Sequence, residues 1–157
     1  MSAEKKEPLE QEVNLIVEEA RMVLPGIQTL FGFQLIAVFN QRFPIILPAV
    51  AQFLHLTAIL LVAVAIGLIM APAAYHRQVE RDEVSQGFAN YASLLITLAL
   101  APLLLAIAIE AGIVAYVIAP SSAVPAATAV FLTLFYSILW YAYPRWKLAG
   151  RRRARRR

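Results

Sequence analysis

Long apolar segments alternate with short polar ones along most of the chain. Residues 84–109 and 111–144 contain no Asp, Glu, Lys or Arg at all. A helix that crosses the hydrocarbon layer of a membrane needs about 20 mostly apolar residues. The pattern therefore predicts an all-α fold, an integral membrane four-helix bundle. The predicted spans lie at about residues 27–41, 49–75, 88–118 and 123–143.

Residues 8–24 precede the first span and have the pattern of an amphipathic helix. Their apolar residues recur three and four positions apart, which places them on one stripe. The opposite face is acidic, whereas helices that lie on a membrane usually present Lys and Arg to anionic lipid. We expect this helix to be cytoplasmic and to dock onto protein. We also expect Pro25 and Gly26 to break or bend the chain before the first span.

Small residues recur every four positions in two of the spans. Ala63, Gly67 and Ala71 have this spacing in the second span, and Ala108 and Gly112 repeat it in the third. Helices in lipid associate through close packing, and small residues allow their backbones to approach. We expect both faces to make helix contacts. The short turn between the third and fourth spans predicts that these two form an antiparallel hairpin.

The composition agrees with a membrane protein and narrows the possible functions. Hydrophobic residues make up 61% and charged residues 15% of the 157, against about 45–50% and about 25% in soluble domains. Four spans use nearly the whole length, so we predict a single membrane domain over residues 1–157. The sequence has no cysteine, no zinc-ligand spacing, no phosphate-binding glycine loop and no nucleophile motif. We therefore expect no enzymatic activity, no cofactor and no metal site.

Basic residues are distributed unequally between the two ends of the predicted spans. Arg21, Arg77, Arg81 and the basic tail of residues 145–157 lie on one side, and Arg42 lies alone on the other. Because short loops rich in Lys and Arg stay in the cytoplasm, we predict that both termini are cytoplasmic. A belt of aromatic residues next to the tail supports this orientation: Trp140, Tyr141, Tyr143 and Trp146.

Two segments resemble a known family. At Leu24-Pro25-Gly26 and in the run from Met70 to Arg77, the chain is similar to a family of small bacterial four-helix membrane proteins known only as a domain of unknown function. The likeness in layout extends over about residues 13–143. It implies a multi-pass protein of the bacterial plasma (inner) membrane. It implies no catalytic residues.

Three ionisable residues fall in the outer half of the predicted spans. Glu110 is the only acidic residue inside a span, about 12 Å from the outer end of the third helix, and His55 lies at a similar depth in the second. Arg42 caps the first helix, which also carries Gln34 and Gln41 seven residues apart on one face. Intramembrane charges are costly and often mark ion paths. These residues are therefore either an ion path or a structural polar cluster.

Tyr75, His76 and Arg77 end the second span at the predicted cytoplasmic surface. Tyr and Arg at this depth usually anchor a helix at the level of the lipid headgroups. A proton-sensing or ligand-binding role for His76 is the alternative.

The C-terminal tail contains a dense cluster of arginines, which follow a membrane span and an aromatic belt. Anionic lipid headgroups are their nearest partner, at about 1 kcal/mol for each basic residue near the surface, and we expect no nucleic acid partner. The predicted lipid-binding residues are Arg151, Arg152, Arg153, Arg155, Arg156 and Arg157.

Together these features predict a small homo-oligomeric membrane component with a structural or regulatory role. The alternative is an ion channel or an ion-coupled transporter. In that case the first helix would line the path, and Glu110, His55 and Arg42 would form a site in its outer half.

Cysteine labelling tests the predicted orientation. Single cysteines at Ser2 and Gly150 are expected to react only from the cytoplasmic side, and one at Ser121 only from the outside, because four spans separate two cytoplasmic ends. The measurement is the reaction of each variant with a membrane-impermeant thiol reagent in intact and in opened cells. Reaction of the Ser2 and Gly150 variants from opposite sides would mean an odd number of spans.

Overall fold

The computed structural model consists of α-helices joined by short connections, and it describes residues 3–80, 85–121 and 123–154. Within those ranges there is no β-strand, so the predicted all-α fold class is confirmed. The helices are α1 (Ala3–Val38), α2 (Phe43–Ile46), α3 (Ala49–Val79), α4 (Gln86–Ile118), α5 (Ala123–Ser137) and α6 (Tyr143–Ala154). A π-helical turn at Ile138–Ala142 joins α5 to α6.

Four helical segments of the described chain are long and apolar enough to cross a membrane. They agree in number with the four predicted spans, and they support a membrane-spanning protein by length and composition. The segments are Leu9–Val38, Ala49–Val79, Gln86–Ile118 and Ala123–Arg151.

Helix α1 runs through Pro25 and Gly26 without interruption. A break of the chain at these residues is therefore excluded, whereas the alternative of a bend and the predicted start of the first span stay predictions. Pro25 lacks an N–H and forfeits one helical hydrogen bond, but a break in the helix would leave several peptide groups without helical partners. Its carbonyl also accepts a hydrogen bond from the Thr29 hydroxyl at 2.8 Å. The helix continues because that arrangement loses the fewest hydrogen bonds.

The π-helical turn lies immediately before Pro144. In a regular α-helix the ring of Pro144 would clash with the carbonyl of Trp140, four residues earlier. The backbone N–H of Tyr143 instead donates to the carbonyl of Ile138, five residues earlier. This wider turn accommodates the proline, and α6 then continues to Ala154, so the first part of the predicted basic tail is helical.

Contacts divide the chain into two compact units, and α3 and α4 contribute to both. Unit 1 comprises Met1–Phe43 and Ile59–Leu103, and unit 2 comprises Pro44–Ala58 and Leu104–Arg157.

The core of unit 1 includes the apolar stripe of the first part of α1. Leu9 and Val13 are buried against Phe88, Ala89 and Ala92 near the start of α4. Ile16 and Tyr75 pack against the same cluster from α1 and from the end of α3. The amphipathic segment therefore packs against protein, as its acidic polar face led us to expect.

In unit 2, α4 and α5 pack closely at Gly112. A Cβ atom at this position would lie 3.3 Å from the carbonyl oxygen of Pro125 and 3.5 Å from the Cβ of Ala129. Ala108, one turn earlier on α4, is also buried. The small-residue spacing of α4 is thus used for close helix packing inside the chain.

Replacement of Gly112 tests this packing. Gly112→Val is expected to lower stability by about 1–3 kcal/mol, because the added atoms must displace the Pro125 backbone. The measurement is the thermal unfolding temperature in detergent.

Gly32→Val is the matched control, since a Cβ at Gly32 would meet no described atom within 4 Å. Equal losses for both variants would show that helix propensity, and not the α4–α5 contact, sets the cost.

Candidate functional site

His55 and Glu110 form a polar pair inside unit 2. The Nδ1 atom of His55 lies 2.9 Å from Oε1 and 3.1 Å from Oε2 of Glu110. With the carboxylate ionised, the Nδ1–H group donates to both oxygens. The sequence placed these residues at similar depths on different helices, and the structure brings them into contact.

The pair lies well inside the two helices that carry it. His55 is in the second turn of α3, and Glu110 lies eight residues, or about 12 Å, before the end of α4. Only 4% of the His55 side chain and 16% of the Glu110 side chain are exposed. Each side chain therefore supplies a polar contact that apolar surroundings would not give the other.

The contact is able to hold one proton between the two groups. The proton resides either on Nδ1, which then faces a carboxylate, or on the carboxyl group, which then donates to Nδ1. In both states the two groups bond to each other. The arrangement suits a cross-link between α3 and α4, and a proton relay would further need a path to water.

The other residues of the predicted outer cluster belong to unit 1. Gln34 is buried on α1, with 3% exposure, whereas Gln41 and Arg42 are exposed beyond the end of the helix. The prediction that Gln34 and Gln41 share a helix face is wrong because α1 ends at Val38. The backbone N–H of Arg42 donates to the Asn40 side chain at 3.0 Å, within the turn that follows α1. A meeting of Arg42 with the His55–Glu110 pair stays a prediction.

Tyr75, His76 and Arg77 lie together in unit 1, at the end of α3. The Tyr75 ring stacks on Phe88 at 6.2 Å between centroids and contacts Tyr91 at 5.1 Å. His76 contacts the same Phe88 ring at 5.4 Å. These aromatic contacts fasten the end of α3 to the start of α4. Anchoring of these residues at the level of the lipid headgroups stays a prediction.

A cavity of about 510 Å³ opens beside these aromatic residues, within unit 1. It is bordered by α1, by the last turns of α3 and by the first turns of α4. Among the described residues that line it, the ionisable ones are Arg21, His76 and Arg77, and Asn14 is also polar. The remaining lining is apolar, so the cavity combines a basic part with a hydrocarbon-like part.

Two features of unit 1 were not predicted from the sequence. The first is the position of Arg21, whose spacing with Val17 and Leu24 places it on the side of α1 that borders the cavity. The second feature is a pair of hydrogen bonds at the start of α4. The Ser85 hydroxyl donates to a Glu80 carboxylate oxygen at 2.7 Å, and it accepts a hydrogen bond from the Phe88 N–H at 3.0 Å. A serine just before a helix is the usual N-cap signal.

Basic and aromatic side chains alternate around the start of α6. The Lys147 ammonium lies over the rings of Trp146 and Tyr143, and the Arg145 guanidinium lies over Tyr141. Arg151 is exposed. The side chains of Arg152 and Arg153 lie outside the described residues, as do Arg155, Arg156 and Arg157.

A metal site finds no support in the described part of the chain. No three His, Cys, Asp or Glu side chains lie close enough there to hold an ion.

A double-mutant cycle tests the His55–Glu110 contact. Glu110→Leu and His55→Phe are each expected to lower stability by about 1–3 kcal/mol, because each removes the hydrogen bond between two largely buried polar side chains. The double variant is expected to recover much of the summed loss, since both polar groups are then absent. Thermal unfolding of the four proteins in one detergent gives the coupling.

Glu110→Gln is the control for this cycle, because its amide oxygen still accepts from Nδ1–H and should cost less than Glu110→Leu. Additive losses in the double variant would show that the two side chains do not depend on each other.

Comparison with known proteins places the chain in a family but leaves its activity open. No curated protein matches the chain, and no solved structure matches it. Residues 2–144 match a family described as a family of unknown function, DUF6328. That match covers the four candidate spans nearly completely, and the chain therefore belongs to this family of unknown function.

Proposed function

We propose that this protein is a self-associating structural or regulatory component of the bacterial plasma membrane, without enzymatic activity. The observation that carries the proposal is the mutual satisfaction of His55 and Glu110, buried between α3 and α4 of unit 2. An intramembrane carboxyl group that bonds to a neighbouring helix stabilises packing. The contact with His55 offsets the cost of burying the Glu110 carboxyl group, so a role in folding is enough to account for this residue.

The transport alternative uses the same residues differently. An ion path requires that Glu110 meets water or a passing ion during the cycle. The 2.9 Å contact with His55 and the low exposure of both side chains favour a closed pair over a hydrated site. Transport is therefore the second candidate.

Self-association is supported by an exposed face of α3 that carries small residues. Val62, Ala65 and Ile69 form the buried face of this helix in unit 1. Ala63 and Gly67 lie on the opposite face and are exposed. A Cβ at Gly67 would meet no described atom within 4 Å, in contrast to Gly112. This small-residue face has the spacing for close helix packing, and its Ala63 and Gly67 are exposed among the described residues.

Helix α5 supports the same proposal. None of its residues is buried against the rest of the described chain, although its composition is almost wholly apolar. Phe131 and Leu134 are 64% and 57% exposed. Such a surface requires lipid or a second protein chain.

Anionic lipid is the proposed partner of the C-terminal end. The cation–π contacts of Lys147 and Arg145 hold basic groups beside aromatic rings, a combination typical of the membrane–water interface. The arginines that follow would face the negatively charged inner leaflet. Both termini would then be cytoplasmic, and binding to nucleic acid would need these arginines to leave the membrane surface.

The small-residue face provides a test of self-association. In native lipid or mild detergent the protein is expected to have a mass that is a multiple of 17.4 kDa. Gly67→Leu is expected to shift the population toward monomer by about tenfold, because a large side chain keeps the helices apart.

Gly67→Ala is the matched control and should preserve the assembly, since alanine keeps the face small. A monomeric wild-type protein in several lipids would contradict the proposal. Native mass spectrometry or mass photometry gives the measurement.

Flux through proteoliposomes separates the two candidate functions. The structural proposal predicts no ion or proton flux above protein-free vesicles, for the wild type and for Glu110→Gln alike. A flux that the wild type supports and Glu110→Gln changes would favour transport.

A further inference from the structure

The first part of α1 carries apolar side chains on the side that faces away from the core of unit 1. Leu9 and Val13 are buried in that core, whereas Leu15 and Met22 are 62% and 74% exposed. Leu15 and Met22 lie seven residues apart, which places them on one side of the helix. This side is therefore partly apolar although it packs against nothing in the core of its own unit.

Acidic residues alternate with these apolar ones. Glu12 and Glu19 lie three or four residues from Leu15 and Met22, on the same side of α1, and both are exposed. Arg21 borders the cavity on a different side. Lipid is an unsuitable cover for this surface, because hydrocarbon does not solvate carboxylates and anionic headgroups repel them. The surface formed by Glu12, Leu15, Glu19 and Met22, here called the acidic ridge, suits a basic protein partner.

Helix α6, in unit 2, has a surface with complementary properties. A shallow groove along it is bordered by Trp146, Lys147 and Arg151, with the small residues Gly150 and Ala154 between them. All five residues are exposed. A Cβ atom at Gly150 would meet no described atom within 4 Å, so the groove is open there. This surface, here called the basic groove, has room for side chains of another helix.

The charges of both surfaces are available to a partner. Lys147 contacts aromatic rings of its own helix, and a ring attracts a cation without neutralising its charge. Among the described residues, neither Lys147 nor Arg151 is in an ion pair, and the same holds for Glu12 and Glu19. The two surfaces therefore match in charge as well as in shape.

The two surfaces also have the same repeat. Met22 and Leu15 are seven residues apart on α1, and Tyr143 and Gly150 are seven residues apart on α6. Seven residues span about 10 Å along a helix and return to the same side. In the proposed orientation α1 runs toward the membrane and α6 runs away from it, so the two helices are antiparallel when side by side. Met22 is then level with Tyr143, and Leu15 is level with Gly150.

We propose that the acidic ridge of one copy packs into the basic groove of a second copy, on the cytoplasmic side of the membrane. Leu15 fills the space beside Gly150, where α6 has no side chain of its own. Each carboxylate then faces a cation, in the pairs Glu19 with Lys147 and Glu12 with Arg151. The proposal rests on the self-association proposed above, and it identifies a contact of that assembly outside the membrane spans.

Charge selects this contact over the other helix pairs that two copies could form. Two acidic ridges repel each other, as do two basic grooves, whereas a ridge and a groove attract. Exposed ion pairs are individually weak, so the contact depends on spans that already hold the copies close together. The last three arginines follow the groove in sequence and are left for the anionic lipid proposed above.

Disulfide cross-linking tests the contact, since the chain has no cysteine of its own. Two differently tagged full-length proteins are produced in the same cells, one with Leu15→Cys and the other with Gly150→Cys. Oxidation of the native membranes is expected to join both tags in one species. Glu10→Cys is the matched control for Leu15→Cys, because Glu10 is exposed on another side of α1. Its yield should be near background, since a disulfide needs Cα atoms within about 7 Å.

A second cysteine pair tests the register and does not depend on the first. Met22→Cys is expected to cross-link to Tyr143→Cys in the other protein. It should not cross-link to Gly150→Cys, which lies about 10 Å further along α6.

Charge reversal tests the ion pairs. Glu19→Lys in the Leu15→Cys protein is expected to lower the yield about fivefold, through repulsion of Lys147 in the other copy. Lys147→Glu in the Gly150→Cys protein should then restore the yield, because the attraction returns with opposite signs. Damage to the fold by Glu19→Lys would not be repaired in this way.

The outcomes separate this contact from self-association itself. An oligomer by mass that gives no mixed cross-link would overturn the contact and leave the proposed assembly in place. Cross-links that form only within a single chain carrying both cysteines would do the same. A yield that Glu19→Lys does not change would overturn the charge pairing. A wild type that is monomeric in several lipids would overturn both proposals.

Discussion

A peptide group inside hydrocarbon finds no water, so its N–H and C=O must find partners within the chain. This constraint explains why Pro72 and Pro102 lie inside long helices. Each proline removes one helical hydrogen bond, whereas a break in the helix would remove several. The π-helical turn before Pro144 solves the same problem by a different geometry, because the helix widens and continues. The helical architecture follows from this one requirement.

The same constraint acts on polar side chains. Five threonines satisfy it locally, because each donates its hydroxyl to the carbonyl four residues earlier at 2.8–2.9 Å: Thr29, Thr57, Thr97, Thr128 and Thr133. His55 and Glu110 bond instead to each other across two helices. Their contact is therefore specific to one arrangement of α3 and α4 in unit 2, whereas the threonine bonds would form in any helix. This difference makes the pair a polar contact that depends on the tertiary structure.

The ends of the spans are subject to a second requirement, because the chain passes there from an apolar to a charged environment. In unit 1 the aromatic contacts of Tyr75 and Phe88 fasten α3 to α4, and the apolar stripe of α1 packs against them. Arg21 borders the cavity beside this cluster. At the start of α6, Lys147 rests on aromatic rings in the same way. Both places bring cations and apolar surface together, and the interface of a membrane with water offers this combination.

The sequence by itself determined the all-α class, the four spans and the family, because apolar length is a property of each segment alone. It also predicted that the first part of α1 would pack on protein, since the polar face of that segment is acidic and so unsuited to anionic lipid. Only the tertiary structure decided that His55 contacts Glu110 and that Arg21 borders a cavity. It also decided that the Pro125 backbone packs against Gly112, whereas no described atom would lie within 4 Å of a Cβ at Gly67. Those outcomes depend on how each helix is rotated toward its neighbours. The residue pattern of one helix does not specify which other helix each of its faces will contact.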